Sequence, residues 1–194
     1  MEPSLEAMVR ELYDRQKIRE VLSNYSRGVD RMDKELLLSC YHPDAIDDHG
    51  FFVGDRDAFW NMVNHYHCNA QTVTQHVITN HTCELDGNVA HTETYWLFAA
   101  MDALDHSLSI GGGRYIDRLE KREGVWRIAA RKCLAEWGGV PAPSNVSEEF
   151  TAMLRDGGVI ARDHSDASYE RPLTVDPKRI GINHNILPAE YEPG

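Results

Sequence analysis

Thr72-Val-Thr-Gln-His-Val-Ile-Thr-Asn-His-Thr-Cys-Glu-Leu85 is where the chain changes period. Upstream, apolar residues recur every three or four positions; from here on they alternate, as in a strand with one face inward. Three more alternating segments follow: Asn88 to Ala103, Ser107 to Glu120 and Val125 to Trp137. They are separated by Asp86-Gly87-Asn88, Leu104-Asp105-His106 and Arg122-Glu123-Gly124. Connections this short join antiparallel neighbours, so a long meander is predicted. Gly111-Gly112-Gly113 marks a bulge or kink at which these long strands bend.

Ahead of the meander the spacing predicts three helices. Leu5, Met8, Val9, Leu12, Ile18, Val21, Leu22 and Tyr25 form the apolar stripe of the first, with Ser4 as cap and Gly28 at its end. The second begins after Asp33, carries Leu36, Leu37 and Leu38, and is broken at His42-Pro43-Asp44. A strand pair follows around Ala45 to Val53. Asp55 or Asp57 then caps a third helix through Phe59, Trp60, Met62, Val63 and Tyr66. Helices first and a bent sheet afterwards give an α+β fold in which the sheet curls around the helices and leaves a cone-shaped cavity.

Beyond Trp137, Gly138-Gly139-Val140-Pro141-Ala142-Pro143-Ser144 reads as a linker. A short helix is expected after it, capped by Asn145 or Ser147, with Phe150, Met153 and Leu154 as its apolar face and Gly157 as its stop. The division is a domain over residues 1–140 and an extension over 141–194. The tail has no sustained period, yet Ile180, Ile182, Ile186, Leu187 and Tyr191 are more apolar than a solvated tail needs, so an ordered extension is favoured over a disordered one.

At 194 residues and 42% apolar, the chain supports one core with an appendage. Its net charge of -11 excludes sequence-independent nucleic-acid binding, which needs clustered Lys and Arg. No apolar run is long enough to span a membrane and Met1-Glu-Pro-Ser-Leu-Glu6 is unlike a signal peptide, so no membrane association and a cytoplasmic location are expected. Cys40, Cys68, Cys83 and Cys133 show no paired spacing and read as buried free thiols.

The chemistry-bearing residues are Asp30, at the end of the first helical run, and His76, in the first long strand. A helix-end carboxylate and a strand imidazole can meet across a pocket, and an Asp behind a His is a usual way to prepare a base near neutral pH. Metal binding is not expected. His65 and His67 point apart on a helix, and simple alternation puts His76 and His81 on opposite faces. Asp47-Asp48-His49 reads as a solvated turn, although it could edge the cavity. The triple glycine lacks the following helix of a phosphate loop.

Ile18-Arg-Glu-Val-Leu-Ser-Asn-Tyr-Ser-Arg-Gly-Val-Asp30, Thr74-Gln-His76 and Gly124-Val-Trp-Arg-Ile-Ala-Ala-Arg131 together resemble the SnoaL-like branch of the nuclear transport factor 2 superfamily. The pattern is nearest the scytalone dehydratase, hexachlorocyclohexane dehydrochlorinase and bile-acid dehydratase group, over about residues 5 to 137. The resemblance implies a cone-shaped α+β barrel, a cofactor-free site, no metal and commonly a homotrimer. It places the catalytic dyad on Asp30 and His76, a cation near the leaving group on Arg131, and a hydroxyl donor on Tyr25. It has no secure counterpart for a second histidine, for which His81, His91 and His106 compete.

Each residue has a plainer reading. Asp30 is otherwise a helix-end residue and His76 a core or surface one. Arg131 either serves the reaction or pairs with Glu93 or Asp117 across the sheet. Tyr25 is a donor or a core tyrosine, and Trp60, Trp96 and Phe98 are core unless one or two face a ligand. The expected function is a cofactor-free lyase that removes water, or a small fragment such as formaldehyde, from a hydrophobic hydroxylated aromatic or polycyclic compound. The alternatives are a same-fold isomerase and a non-catalytic subunit of an aromatic-ring dioxygenase. The middle of the second strand, Tyr95-Trp-Leu-Phe98, is apolar on both faces, so the outer face needs a cover, such as a trimer would supply.

Overall fold

The computed structural model describes residues 3–141, 152, 159–174 and 177–179. Two compact units divide the chain, residues 1–143 and 144–194. The first begins with helix α1 (Leu5–Asp30), capped by the Ser4 side chain. Helix α2 (Lys34–Ser39) is capped by Asp33 and helix α3 (Arg56–Ala70) by Asp55. The strands are β1 (Tyr41–Asp48), β2 (Val53–Asp55), β3 (Gln71–Asp86), β4 (Val89–Asp102), β5 (Leu108–Arg122) and β6 (Val125–Gly139).

The four long strands pair antiparallel in chain order, as the period change predicts. Between β5 and β6, Glu123 and Gly124 both take positive φ, which suits the twist of a two-residue hairpin. The six-stranded order is β2-β1-β6-β5-β4-β3, so the sheet is curved but open rather than a closed barrel. Nor is it wholly antiparallel, because β1 runs parallel to β6. That pairing is possible because α3 and the meander separate the two strands by far more than a crossover requires. The register sets Asp47 beside Arg131, and Arg131 beside Asp117 on β5.

Local expectations fail where packing intervenes. Gly28 does not end α1, which runs on to Asp30. A Cβ there would lie 2.8 Å from the Leu37 backbone nitrogen, so its role is to let α2 approach. Leu5, Met8, Val9 and Leu12 are exposed, and the buried face of α1 starts at Asp14. A 26-residue helix is about 39 Å long and overhangs its packing partners. Asp14 pins it to the sheet by accepting from Lys121 Nζ at 2.7 Å and Trp126 Nε1 at 2.9 Å.

The triple glycine is where the β5–β6 register shifts, with the extra residue on β6. A side chain at Gly113 would collide with the Leu134 carbonyl oxygen, 1.9 Å from its Cβ. A second shift lies in β3, where Thr79 and Asn80 fall between the pairs Ile78↔Trp96 and His81↔Thr94. This extra residue reverses the alternation, so His81 shares the inner face with His76 instead of opposing it. All four cysteines are free, but Cys68 is exposed and only Cys40 is fully buried.

Gly138 and Gly139 belong to β6 rather than to a linker. In the second unit Asp166 caps a 3-10 turn over Ala167–Tyr169, and another covers Pro177–Arg179. The expected helix around Phe150, Met153 and Leu154 and the apolar tail from Ile180 lie outside the described residues. Among the described residues, no helix is long and apolar enough to cross a membrane.

Candidate active site

The inner face of the sheet and helices α1 and α3 enclose a cavity of about 220 Å³. Its wall is mostly apolar and aromatic, including Phe59 and Val63 from α3, Trp96 and Phe98 from β4, and Tyr115 from β5. Set into it are three imidazoles, His49, His67 and His76. Trp60, a candidate from sequence, is not part of the wall.

Asp30 and His76 meet, as the dyad reading requires. His76 Nδ1 lies 2.6 Å from Asp30 Oδ1, and the His76 backbone N–H donates to Oδ2 at 2.8 Å. Since both carboxylate oxygens accept, Nδ1 carries the proton and Nε2 is left with its lone pair. Both side chains are nearly enclosed, at 10% and 12% exposure. Phe98 packs against the His76 ring at 4.8 Å and fixes its tilt. The arrangement can take a proton from a substrate carbon or hydroxyl while Asp30 steadies the imidazolium that forms.

Tyr25 also lines the cavity. Its ring stacks on Phe59, and its hydroxyl shares a hydrogen bond with that of Tyr115. Burial pushes its phenol well above the ordinary value, against the pull of Arg131, so it remains a proton carrier able to donate to an oxygen.

Arg131 is not brought to the cavity wall. It is fully buried, with Nε 2.7 Å from Asp117 Oδ1 and Nη2 2.8 Å from Oδ2. Its guanidinium sits in the corner formed by the Tyr25 and Tyr115 rings, 4.1 Å from each and with the rings 79° apart. Of the two readings open in sequence, the geometry is that of the pair with Asp117. A planar, delocalised cation suits both a bidentate carboxylate and two aromatic faces.

Of the histidines that compete for a second place, His81, His91 and His106, none reaches the wall. His67 and His49 do. His67 follows Phe59 and Val63 at four-residue spacing, the buried stripe of α3, and its Nδ1 bonds Gln71 Oε1. That stripe is the signal in the sequence that marks it. His49 follows the fully buried Asp47 on the same alternating face and bonds it through Nδ1, so Asp47-Asp48-His49 is not a solvated turn. The other Asp47 oxygen accepts from the Tyr41 hydroxyl.

Burial opposes a charge on His49, but the bonds to Asp47 and Cys133 and the charge of Asp47 outweigh it and push the imidazole up to about 9. A raised folded value means that protonation stabilises the fold fully below the unfolded value of about 6.5, and that this contribution is lost as pH rises through about 9. The thermal midpoint of wild type is therefore expected to fall from pH 6.5 to 9.5 by more than that of His49→Gln. Parallel curves for the two proteins would remove this assignment.

The fold is similar to that of a hexachlorocyclohexane dehydrochlorinase, LinA type 2, at a TM-score of 0.67 and 18% identity, covering 72% of this chain and 96% of that one. It is similar also to a candidate scytalone dehydratase from Novosphingobium aromaticivorans, with a TM-score of 0.62, 18% identity and coverage of 69% and 91%. A candidate aromatic ring hydroxylase from the same organism gives 0.61, 18%, 67% and 94%. No curated protein matches the chain in sequence. The profile of the SnoaL-like domain matches residues 10–132, which hold Asp30, His76, the Asp47–His49 pair and the buried Arg131. With most of its length matched by that profile, this chain belongs to the SnoaL-like domain family.

Proposed function

We propose that this protein is a cofactor-independent lyase that removes water, or a small fragment such as formaldehyde, from a hydrophobic hydroxylated aromatic compound. The observation that carries the reading is the His76–Asp30 pair, buried in the wall of an apolar cavity with Nε2 available as a base. His76 takes a proton from carbon, or from a hydroxyl when a carbon fragment leaves. Tyr25 donates to the oxygen that gains charge. The similarity to a dehydrochlorinase and a candidate dehydratase supports elimination. The meeting of Asp30 and His76 favours an enzyme over a non-catalytic dioxygenase subunit, and an isomerase that shares the first proton abstraction is the second reading.

The cavity, about 220 Å³, lies below the roughly 300–1,000 Å³ usual for drug-sized ligands, which favours a one- or two-ring compound over a steroid-sized one. Incubating the protein with a panel of hydroxylated aryl compounds, without added cofactor, and following product mass tests this. Loss of one water or one formaldehyde supports the lyase, whereas an isobaric product assigns an isomerase.

A homotrimer is proposed with it. On the outer face Val77, Tyr95, Leu97 and Trp137 are 42–52% exposed, an apolar surface suited to packing against another copy. Elution near three times the 22.1 kDa chain mass is expected, and a monomer in solution would refute it.

A further inference from the structure

Asp47 is fully buried, and its partners are the Tyr41 hydroxyl and His49. Beside it in register lies Arg131, but the forked donors of that guanidinium go to Asp117. The buried row thus holds two carboxylates, Asp47 and Asp117, and one permanent cation. An uncompensated carboxylate in a dry interior is costly, so the second positive charge has to come from His49. His49 is only 13% exposed and stacks on Phe59 at 4.9 Å, yet it forms part of the cavity wall.

The surroundings of the two cavity dyads differ. Asp30 is partly satisfied by a backbone N–H and leaves His76 with a free lone pair. His49, just past β1, is faced by Asp47 and Tyr41 from that strand, the Cys133 thiol from β6, which bonds the ring, Tyr115 from β5, Phe59 and His67 from α3, and Tyr25 from α1. Asp47 and the Cys133 sulfur both favour a positive charge on the ring.

We infer that His49, held at Nδ1 by Asp47, is the acid of this cavity, giving its Nε2 proton to the oxygen of the leaving group in place of the Cys133 thiol while His76 acts as base. This rests on the lyase reading above and narrows it to a substrate whose leaving group is a hydroxyl β to an electron-withdrawing group. His76 takes the proton on carbon, and the C–H electron pair becomes the new C=C bond. The C–O bond breaks with its pair on oxygen, which takes the His49 proton and leaves as water. His76 ends protonated and His49 neutral; solvent resets both. A halide departs without a proton and has no use for such an acid, so this second dyad distinguishes dehydration from dehydrohalogenation. The position of His49, up to about 9, keeps the acid charged at neutral pH.

Two measurements test this. In nitrogen-15 imidazole spectra of wild type, His49 is expected to hold both ring protons at pH 7.5. A neutral ring there overturns the proposal, as does a normal titration in Cys133→Ala, which would assign the proton to a thiolate pair. The kinetic probe is a 1-aryl-3-hydroxypropan-1-one against its 3-chloro analogue, both giving the same enone. His49→Gln should lower kcat on the hydroxy compound by about 100-fold or more and on the chloro compound by less than about threefold, while His76→Ala lowers both. Asp47→Asn, which keeps the shape, should repeat the selective loss if His49→Gln folds poorly. Equal losses on both compounds overturn the acid role alone. Turnover of neither by wild type sinks the lyase reading and this role with it.

Discussion

His76→Ala is expected to lower turnover by about 100- to 10,000-fold, the span of a lost general base, and Asp30→Asn should fall in the same range. The two act as one unit, since Asp30 binds both the ring and the backbone N–H of His76. The double variant should therefore cost little more than either alone. Multiplying losses would dissolve the dyad. Asp30→Asn keeps an acceptor for one of those bonds but can present an amide N–H to the other, so the tautomer with Nδ1 protonated is no longer favoured.

Arg131→Met should act on stability first, lowering it by about 3–5 kcal/mol, because it strands the Asp117 carboxylate in the core. For a chain of this size that corresponds to a thermal midpoint lower by about 6–20 °C. Tyr25 and Tyr115 would at the same time lose the cation held against both rings. Arg131→Met with Asp117→Leu should recover much of the loss, since replacing a buried pair by apolar residues is often near neutral. If Arg131→Met kept its wild-type midpoint and lost only activity, the cation would belong to the reaction, as the family resemblance implied.

A practical consequence is that Arg131 substitutions are a poor probe of catalysis here. Damage to the Tyr25–Arg131–Tyr115 cluster reaches the cavity wall through Tyr25 and Tyr115, which both line it. Rates measured on such variants mix lost folding with lost positioning. Tyr25→Phe is the cleaner test of a hydroxyl donor, because it keeps the ring stacked on Phe59.

The sequence by itself determined the elements and the kind of site. Alternation from Thr72, capping by Ser4, Asp33 and Asp55, and the short turns before Val89 and Val125 are local features, and the backbone follows them. Asp30 and His76 were legible because a helix-end carboxylate and an inward strand imidazole occur in a family pattern. Tertiary structure decided what depends on partners distant in sequence. One extra residue in β3 turned His81 to the inner face, and alternation cannot reveal a bulge set by pairing with β4. The parallel pairing of β1 with β6 brought Asp47 beside Arg131 and made a polar triplet that looks like a turn into a buried carboxylate and its histidine. Arg131 sits in the core rather than in the cavity wall because Asp117 lies across from it in register and two tyrosine rings flank it. A charge has the same identity in any chain, but its solvation and its partner are set by the fold, and these fix what it can do.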